Sequence, residues 1–168
     1  MRILIKVVLT IVLYIYLAIL TKLILFKYLP LSEIINHFDF SFNEYHWRSS
    51  NVVPFKTIIF YLFLADININ FSIRIENLVG NIIGFVPFGF ILPLLSKKFL
   101  DFKAIIIATL SLSFTYEILQ LLFEFGSFDI DDLILNTLGG LFGYLTIKLI
   151  YLIVNSKNKP KCNKVPFS

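Results

Sequence analysis

Four long apolar runs, broken by very few charges, limit what this chain can fold into. They cover about residues 3–26, 77–95, 104–123 and 133–154. Crossing the hydrocarbon core of a bilayer takes roughly 20 apolar residues in helical form, because no water is present there to bond exposed backbone groups. Each run is about that long. The expected fold is therefore all-α, a polytopic membrane helical bundle with four transmembrane helices. Charged residues make up 15% of the 168 residues, against roughly 25% in an ordinary soluble domain, and the deficit agrees with that class.

The first run is too long for the apolar core of a cleavable signal, and Leu17-Ala18-Ile19 is not a small-residue cleavage site, so a signal-anchor helix is expected. Pro30 should end it. Between Pro30 and Glu76 the chain is mixed, and Phe55 to Ala65 is apolar for only about ten residues, too few to span a bilayer that needs roughly twenty. A short re-entrant or interfacial helix is expected there, with Pro54 in its first turn. One membrane domain over 1–156 and a basic, disordered tail over 157–168 complete the organisation.

The formal net charge is +4, but the cations sit beside the apolar runs, which is a topology signal and not the footprint of a nucleic-acid binder. Arg2, Lys6, Lys97, Lys98, Lys103 and the tail lysines should be cytoplasmic, with both termini inside a bacterial cell membrane; Lys22 and Lys27 are the exceptions. The single cysteine, Cys162, has no partner for an internal disulfide, and no Cys/His spacing suggests zinc.

Against this background the stretch from Phe114 to Tyr144 is unusual. Glu117, Gln120, Glu124, Asp129, Asp131, Asp132 and Asn136 fall within it, between two spans. A carboxylate inside a span costs about 2.5–3.5 kcal/mol on the lenient insertion scale, and Gln, Ser or Asn would hold helices together at lower cost. Glu117 is therefore the strongest candidate for a functional group. Ser113, Glu117, Gln120 and Glu124 share one face of the third span; Asn77, Gly80, Asn81 and Gly84 share one face of the second; Asp132, Asn136, Gly139 and Gly143 share one face of the fourth. In the expected topology these stripes meet in the outer third of the bilayer. The glycines of the two GxxxG patterns read as packing residues, Asp129 as a helix cap, Asp131 as a solvated loop charge, and Gly126-Ser127 as the turn. No established metal loop matches the acidic spacing, and neither a metal nor a cofactor is expected.

These residues resemble the VanZ-like family of small bacterial membrane proteins. The likeness rests on Arg48-x-x-Asn51-x-x-Pro54-Phe55, Gly80-Asn81-x-x-x-Phe85-x-Pro87-x-Gly89 and Glu117-x-x-Gln120. It ends with Asp129-x-Asp131-Asp132-x-x-x-Asn136-x-x-Gly139-Gly140-x-x-Gly143. Family members often carry an arginine just before the acidic block; here Glu124-Phe125-Gly126-Ser127 stands in that place. The resemblance implies a multi-spanning membrane protein with a cell-envelope role, in a family associated with lower sensitivity to teicoplanin.

Two functions compete at this stage. In one, the outer-leaflet pocket binds a membrane lipid, a lipid-linked cell-wall precursor or a glycopeptide, with Arg48, Asn51, Asn81, Gln120 and Asn136 as ligand-binding residues. In the other, the chain is a hydrolase or transferase acting on a lipid-linked substrate, with Glu117 as acid or base, Asp129 or Asp132 as a second carboxylate, and Arg48 pairing with Glu117 or with an anionic group of the substrate.

Overall fold

A computed structural model describes residues 2–26, 47–64 and 71–157. Its helices are α1 (Arg2–Leu25), the short α2 (Lys56–Ile59) continued by a π-helical turn (Phe60–Leu64), α3 (Phe71–Leu95), α4 (Phe102–Leu122) and α5 (Ile130–Lys157). A 3₁₀ turn, Lys97–Leu100, links α3 to α4. Four of the helices, α1, α3, α4 and α5, are long and apolar enough to cross a membrane. The chain is thus an all-α, multi-pass membrane protein. Pro30, His37 and His46, the residues 65–70 and the tail from 158 onward lie outside the described residues.

The long helices alternate in direction. The end of α1, the α2 segment, the start of α3, the end of α4 and the start of α5 gather at one end of the bundle, here called the upper end. Gln120 Nε2 donates to the Ile24 carbonyl at 3.1 Å there. At the lower end Tyr144 donates its hydroxyl to the Leu100 carbonyl at 2.9 Å. The link between α3 and α4 is shaped by two local caps: Ser96 accepts the Lys98 N–H, and Asp101 accepts the Ala104 N–H at 3.1 Å.

The tightest helix pair is α3 with α5, and glycine is the reason. A Cβ on Gly139 would run into the Ile82 carbonyl, one on Gly143 into the Val86 carbonyl, and one on Gly89 into the backbone of Gly140. Without side chains at these points the two backbones come into direct contact, which is how helices associate where lipid offers no hydrophobic drive. The earlier pair behaves differently from the expectation. A Cβ on Gly80 would meet no atom within 4 Å, and one on Gly84 would meet only Leu20 Cδ1, at 3.5 Å. Gly80 thus faces open space, while Gly84 sits against α1, its carbonyl accepting the Tyr16 hydroxyl at 2.6 Å.

Below the upper end the core is aromatic and aliphatic. Phe85 packs edge-to-face on Tyr116 with centroids 6.4 Å apart, beside Leu20 and Leu25. Phe88, Leu92, Ile105 and Tyr144 fill the lower half. The helix α1 lies at the periphery, with most of its apolar side chains turned outward, as expected of a helix facing lipid.

Two boundaries differ from the sequence reading. The second span begins at Phe71 and not near Asn77; the charge of Arg74 obscures the apolar pattern in sequence, and in the fold the half-buried side chain is held by carbonyls of the preceding segment. Its Nε donates to the Tyr61 carbonyl at 2.7 Å and its Nη2 to the Leu62 carbonyl at 3.3 Å, covering carbonyls at the end of the short helical segment. Pro54 lies outside the first turn of α2. Phe55 precedes the helix in a left-handed conformation, φ 67°, which is strained for a bulky residue.

Candidate functional site

Asn51 and Asp129 tie the segment before α2 to the start of α5. Their backbones form a short parallel bridge in which Asn51 N donates to the Phe128 carbonyl at 2.7 Å and Ile130 N donates to the Asn51 carbonyl at 2.9 Å. The side chains repeat the link. Asn51 Nδ2 donates to Asp129 Oδ1 at 2.9 Å, and the Thr57 hydroxyl donates to Asp129 Oδ2 at 2.6 Å. Asp129 Oδ1 also accepts the Asp131 N–H at 2.9 Å, which makes Asp129 the N-terminal cap of α5.

Asp131 corrects the reading of a solvated loop charge. It is fully buried, and its carboxylate accepts the N–H groups of Phe55, of Thr57 at 2.7 Å and of Ile58 at 3.1 Å. The first turn of α2 lacks a side-chain cap of its own. Asp131 supplies one from a distant helix, placing a negative charge where the orphan N–H groups and the helix dipole favour it. The left-handed Phe55 turns its own N–H toward the same carboxylate.

Above these contacts the chain leaves α4 through a tight turn. Phe125 and Gly126 both donate N–H groups to the Gln120 carbonyl, and Glu124 takes the left-handed conformation at φ 57°. This is the arrangement that commonly ends helices with glycine. The turn therefore pivots on Glu124, and Gly126 has no positive φ. Phe125 closes against Phe26 edge-to-face at 5.1 Å.

Within this frame lies a cavity of about 510 Å³, a size common for small-molecule sites. Leu20, Leu23 and Ile24 of α1 form an apolar wall. Asn77, Gly80, Asn81 and Gly84 of α3, Glu117 and Gln120 of α4, and Asp132, Leu135 and Asn136 of α5 form much of the rest, with Tyr61, Ser127 and Asp129 at the upper side. The open space at Gly80 thus gives the cavity width. Three polar stripes from three helices reach one space: Asn81 Nδ2 donates to Asp132 Oδ1 at 2.6 Å, Asn136 Nδ2 donates to Ser113 Oγ at 2.8 Å, and Glu117 Oε2 accepts the Asp129 N–H at 2.7 Å.

The sequence-derived candidates divide into two groups. Glu117, Asp129 and Asp132, named as acid/base candidates, all line the cavity, as do Asn81, Gln120 and Asn136. Arg48 and Asn51 are not among the described lining residues; Asn51 is buried in the clasp with Asp129 and Thr57. Among the described residues no group of three or more His, Cys, Asp or Glu side chains is arranged to hold a metal ion. Sequence reasoning missed Thr57, Tyr61 and Arg74. Only Arg74 carried a signal, as a cation just before a span.

The comparisons with known proteins agree with this arrangement of motifs. The family model described as VanZ/LLP1 matches residues 13–152, which include every block that builds the clasp and the cavity. This chain belongs to the VanZ/LLP1 family. Protein VanZ of Enterococcus faecium is 32% identical over 150 residues, covering 89% of this chain and 78% of that protein. No solved structure matches the chain significantly. The VanZ/LLP1 match takes in both the Asn51 segment and the Asp129–Asp132 block, so the long-range clasp between them falls within the family domain.

Proposed function

We propose that the cavity binds an amphiphilic cell-envelope ligand at the outer face of the membrane, and that this binding lowers sensitivity to glycopeptides of the teicoplanin type. The observation that carries this reading is the two-sided lining. Aliphatic side chains of α1 face Asn81, Glu117, Asp132 and Asn136 across one space, which suits a molecule with an apolar chain and a polar head. Membership of the VanZ/LLP1 family and similarity to Protein VanZ support the link to the envelope. The cation cluster opposite the cavity supports the orientation: Arg2, Lys6, Lys97, Lys98 and Lys103 lie at that end, with Lys22, Lys56 and Arg74 at the cavity end as exceptions, and basic residues collect on the cytoplasmic side. Lipid-linked wall precursors and the glycopeptide itself are the ligand classes in view.

A second reading, a hydrolase or transferase on a lipid-linked substrate, is favoured by the presence of Glu117 and Asp132 on the same cavity. Asp129 fits that chemistry poorly, because both of its carboxylate oxygens are taken up by Asn51, Thr57 and the Asp131 N–H. Expression in a teicoplanin-sensitive bacterium, with membrane insertion checked by immunoblot, tests both readings. Asn81→Ala and Asp132→Asn should return tolerance towards that of the empty vector; full tolerance in both inserted variants would defeat the binding reading. Glu117→Gln keeps shape and most hydrogen bonding, so it should do modest harm to a binder and abolish the effect of an enzyme.

A further inference from the structure

The helices α1 and α3 meet at Gly84 and part above it. At Gly84 the contact is closed: the Tyr16 hydroxyl donates to the Gly84 carbonyl at 2.6 Å, and Leu20 Cδ1 lies 3.5 Å from where a Cβ on Gly84 would stand. One turn higher on α3, a Cβ on Gly80 would meet no atom within 4 Å. Leu23, higher on α1 than Leu20, lines the cavity and is nevertheless 61% exposed. Gly80 also both lines the cavity and is exposed. A further turn up α3, Asn77 Nδ2 donates to the Tyr61 hydroxyl at 3.4 Å, which sets Tyr61 at the upper margin of the cleft.

Depth decides what this cleft opens onto. The 25 residues of α3 make a helix about 37 Å long, against a hydrocarbon core of about 30 Å. Gly80 comes nine residues after Phe71, about 14 Å along the axis. Even with the whole excess length of α3 above the membrane, Gly80 would lie about 6 Å inside the hydrocarbon. The cleft therefore opens sideways into lipid. Its flanks continue the lipid-facing surface, since Ile19, one turn below Leu23, and Ile83, one turn below Gly80, are both exposed. Inside, it leads to the aliphatic wall of α1 and to Leu135 of α5. A hydrocarbon chain can pass such an entrance without leaving apolar surroundings, whereas a polar group would be desolvated on the way. We propose that the cleft between α1 and α3 is a lateral entrance, through which the apolar part of the cavity takes a fatty acyl chain of a phospholipid from the adjoining leaflet. The inference rests on the reading of the cavity as an amphiphile site and adds the source of the chain, which is the membrane and not water.

The test places the full chain in lipid nanodiscs containing phosphatidylcholine with a photoactivatable diazirine midway along one acyl chain, and maps the adducts by peptide mass spectrometry. Phe85 and Leu135 line the cavity and are buried, at 1% and 6% exposure, whereas Ile83 faces outward at 62%. Adducts are expected on Phe85 or Leu135 as well as on Ile83. Gly80→Phe fills the entrance, so the interior adducts should fall about tenfold, equivalent to about 1.4 kcal/mol, while those on Ile83 persist and report an inserted protein. A six-carbon diazirine phosphocholine, added from water as a monomer, is the second probe and needs no variant. Interior labelling by this soluble probe alone overturns the lateral entrance and leaves the amphiphile site standing. Interior labelling by the nanodisc lipid that Gly80→Phe does not reduce also overturns the entrance. Adducts confined to Ile83 with both probes overturn the entrance and the amphiphile site together.

Discussion

Asp131, in the first turn of α5, caps the backbone of Thr57, which lies far from it in sequence, at 2.7 Å. This contact makes a short helical segment that cannot span the bilayer part of the bundle, and it sets the upper boundary of the cavity through Thr57 and Tyr61. The acidic block thus has two tasks. Asp129 and Asp131 hold the segment in place, while Asp132 faces the cavity.

Asp131→Ala should detach the α2 segment while leaving the long helices inserted. Hydrogen bonds to a charged group contribute about 1.5–3 kcal/mol each, and three N–H groups lose their acceptor, in part replaced by water. A net loss of about 3 kcal/mol is expected on that scale, read as a lower unfolding temperature in detergent and faster proteolysis between residues 47 and 64. Unchanged proteolysis there would mean that the clasp does not hold the segment.

The two glycine patterns should respond oppositely to one methyl group. Gly139→Ala and Gly143→Ala drive a Cβ into the backbone of α3. Overpacking of this kind costs typically about 1–3 kcal/mol, so both variants should show reduced thermal stability. Gly80→Ala meets no atom within 4 Å and should be as stable as the parent, or slightly more so, because alanine favours helix. It would narrow the cavity and weaken ligand retention.

That contrast shows what was legible in the sequence. The four spans follow from apolar length alone, and the polar stripes follow from helical periodicity. The three stripes that carry Asn81, Glu117 and Asn136 could be aligned in depth before any coordinates, because the placement of basic residues sets which helix ends share a side of the membrane. The partner of each GxxxG was not legible, since two identical spacings face different things: a backbone for Gly139 and Gly143, a cavity for Gly80 and Gly84. Nor was the burial of Asp131, whose three donors lie on a segment more than seventy positions earlier. Glu124 in a left-handed turn was hidden for a further reason: glycine is the usual signal for that conformation, and the nearby Gly126 drew the assignment.

Orientation in the membrane is open to a direct chemical test. Ser127 lines the cavity at the upper end, and Cys162 is the single native thiol. In a Cys162→Ser background, Ser127→Cys should react with an impermeant maleimide added to intact cells. Labelling only after the membrane is opened would reverse the proposed topology and place the cavity at the cytoplasmic face.

The final prediction separates glue from function at Asn136. An interhelical hydrogen bond within a membrane is worth about 0.6 kcal/mol on average, whereas a buried, unsatisfied polar group costs about 1–3 kcal/mol. The Asn136–Ser113 bond leaves Oδ1 without a partner among the described residues, so this pair should be a net burden on stability. Replacing both, with Ser113→Ala and Asn136→Leu, removes the bond and the orphan together in residues that are almost fully buried. The double variant should unfold at the parent temperature or higher and yet lose ligand retention and any drug tolerance. A clear fall in stability with tolerance intact would make Asn136 a packing residue. Asn136→Leu alone leaves the Ser113 hydroxyl without its partner and should be the less stable of the two, which provides an internal check on the direction of the effect.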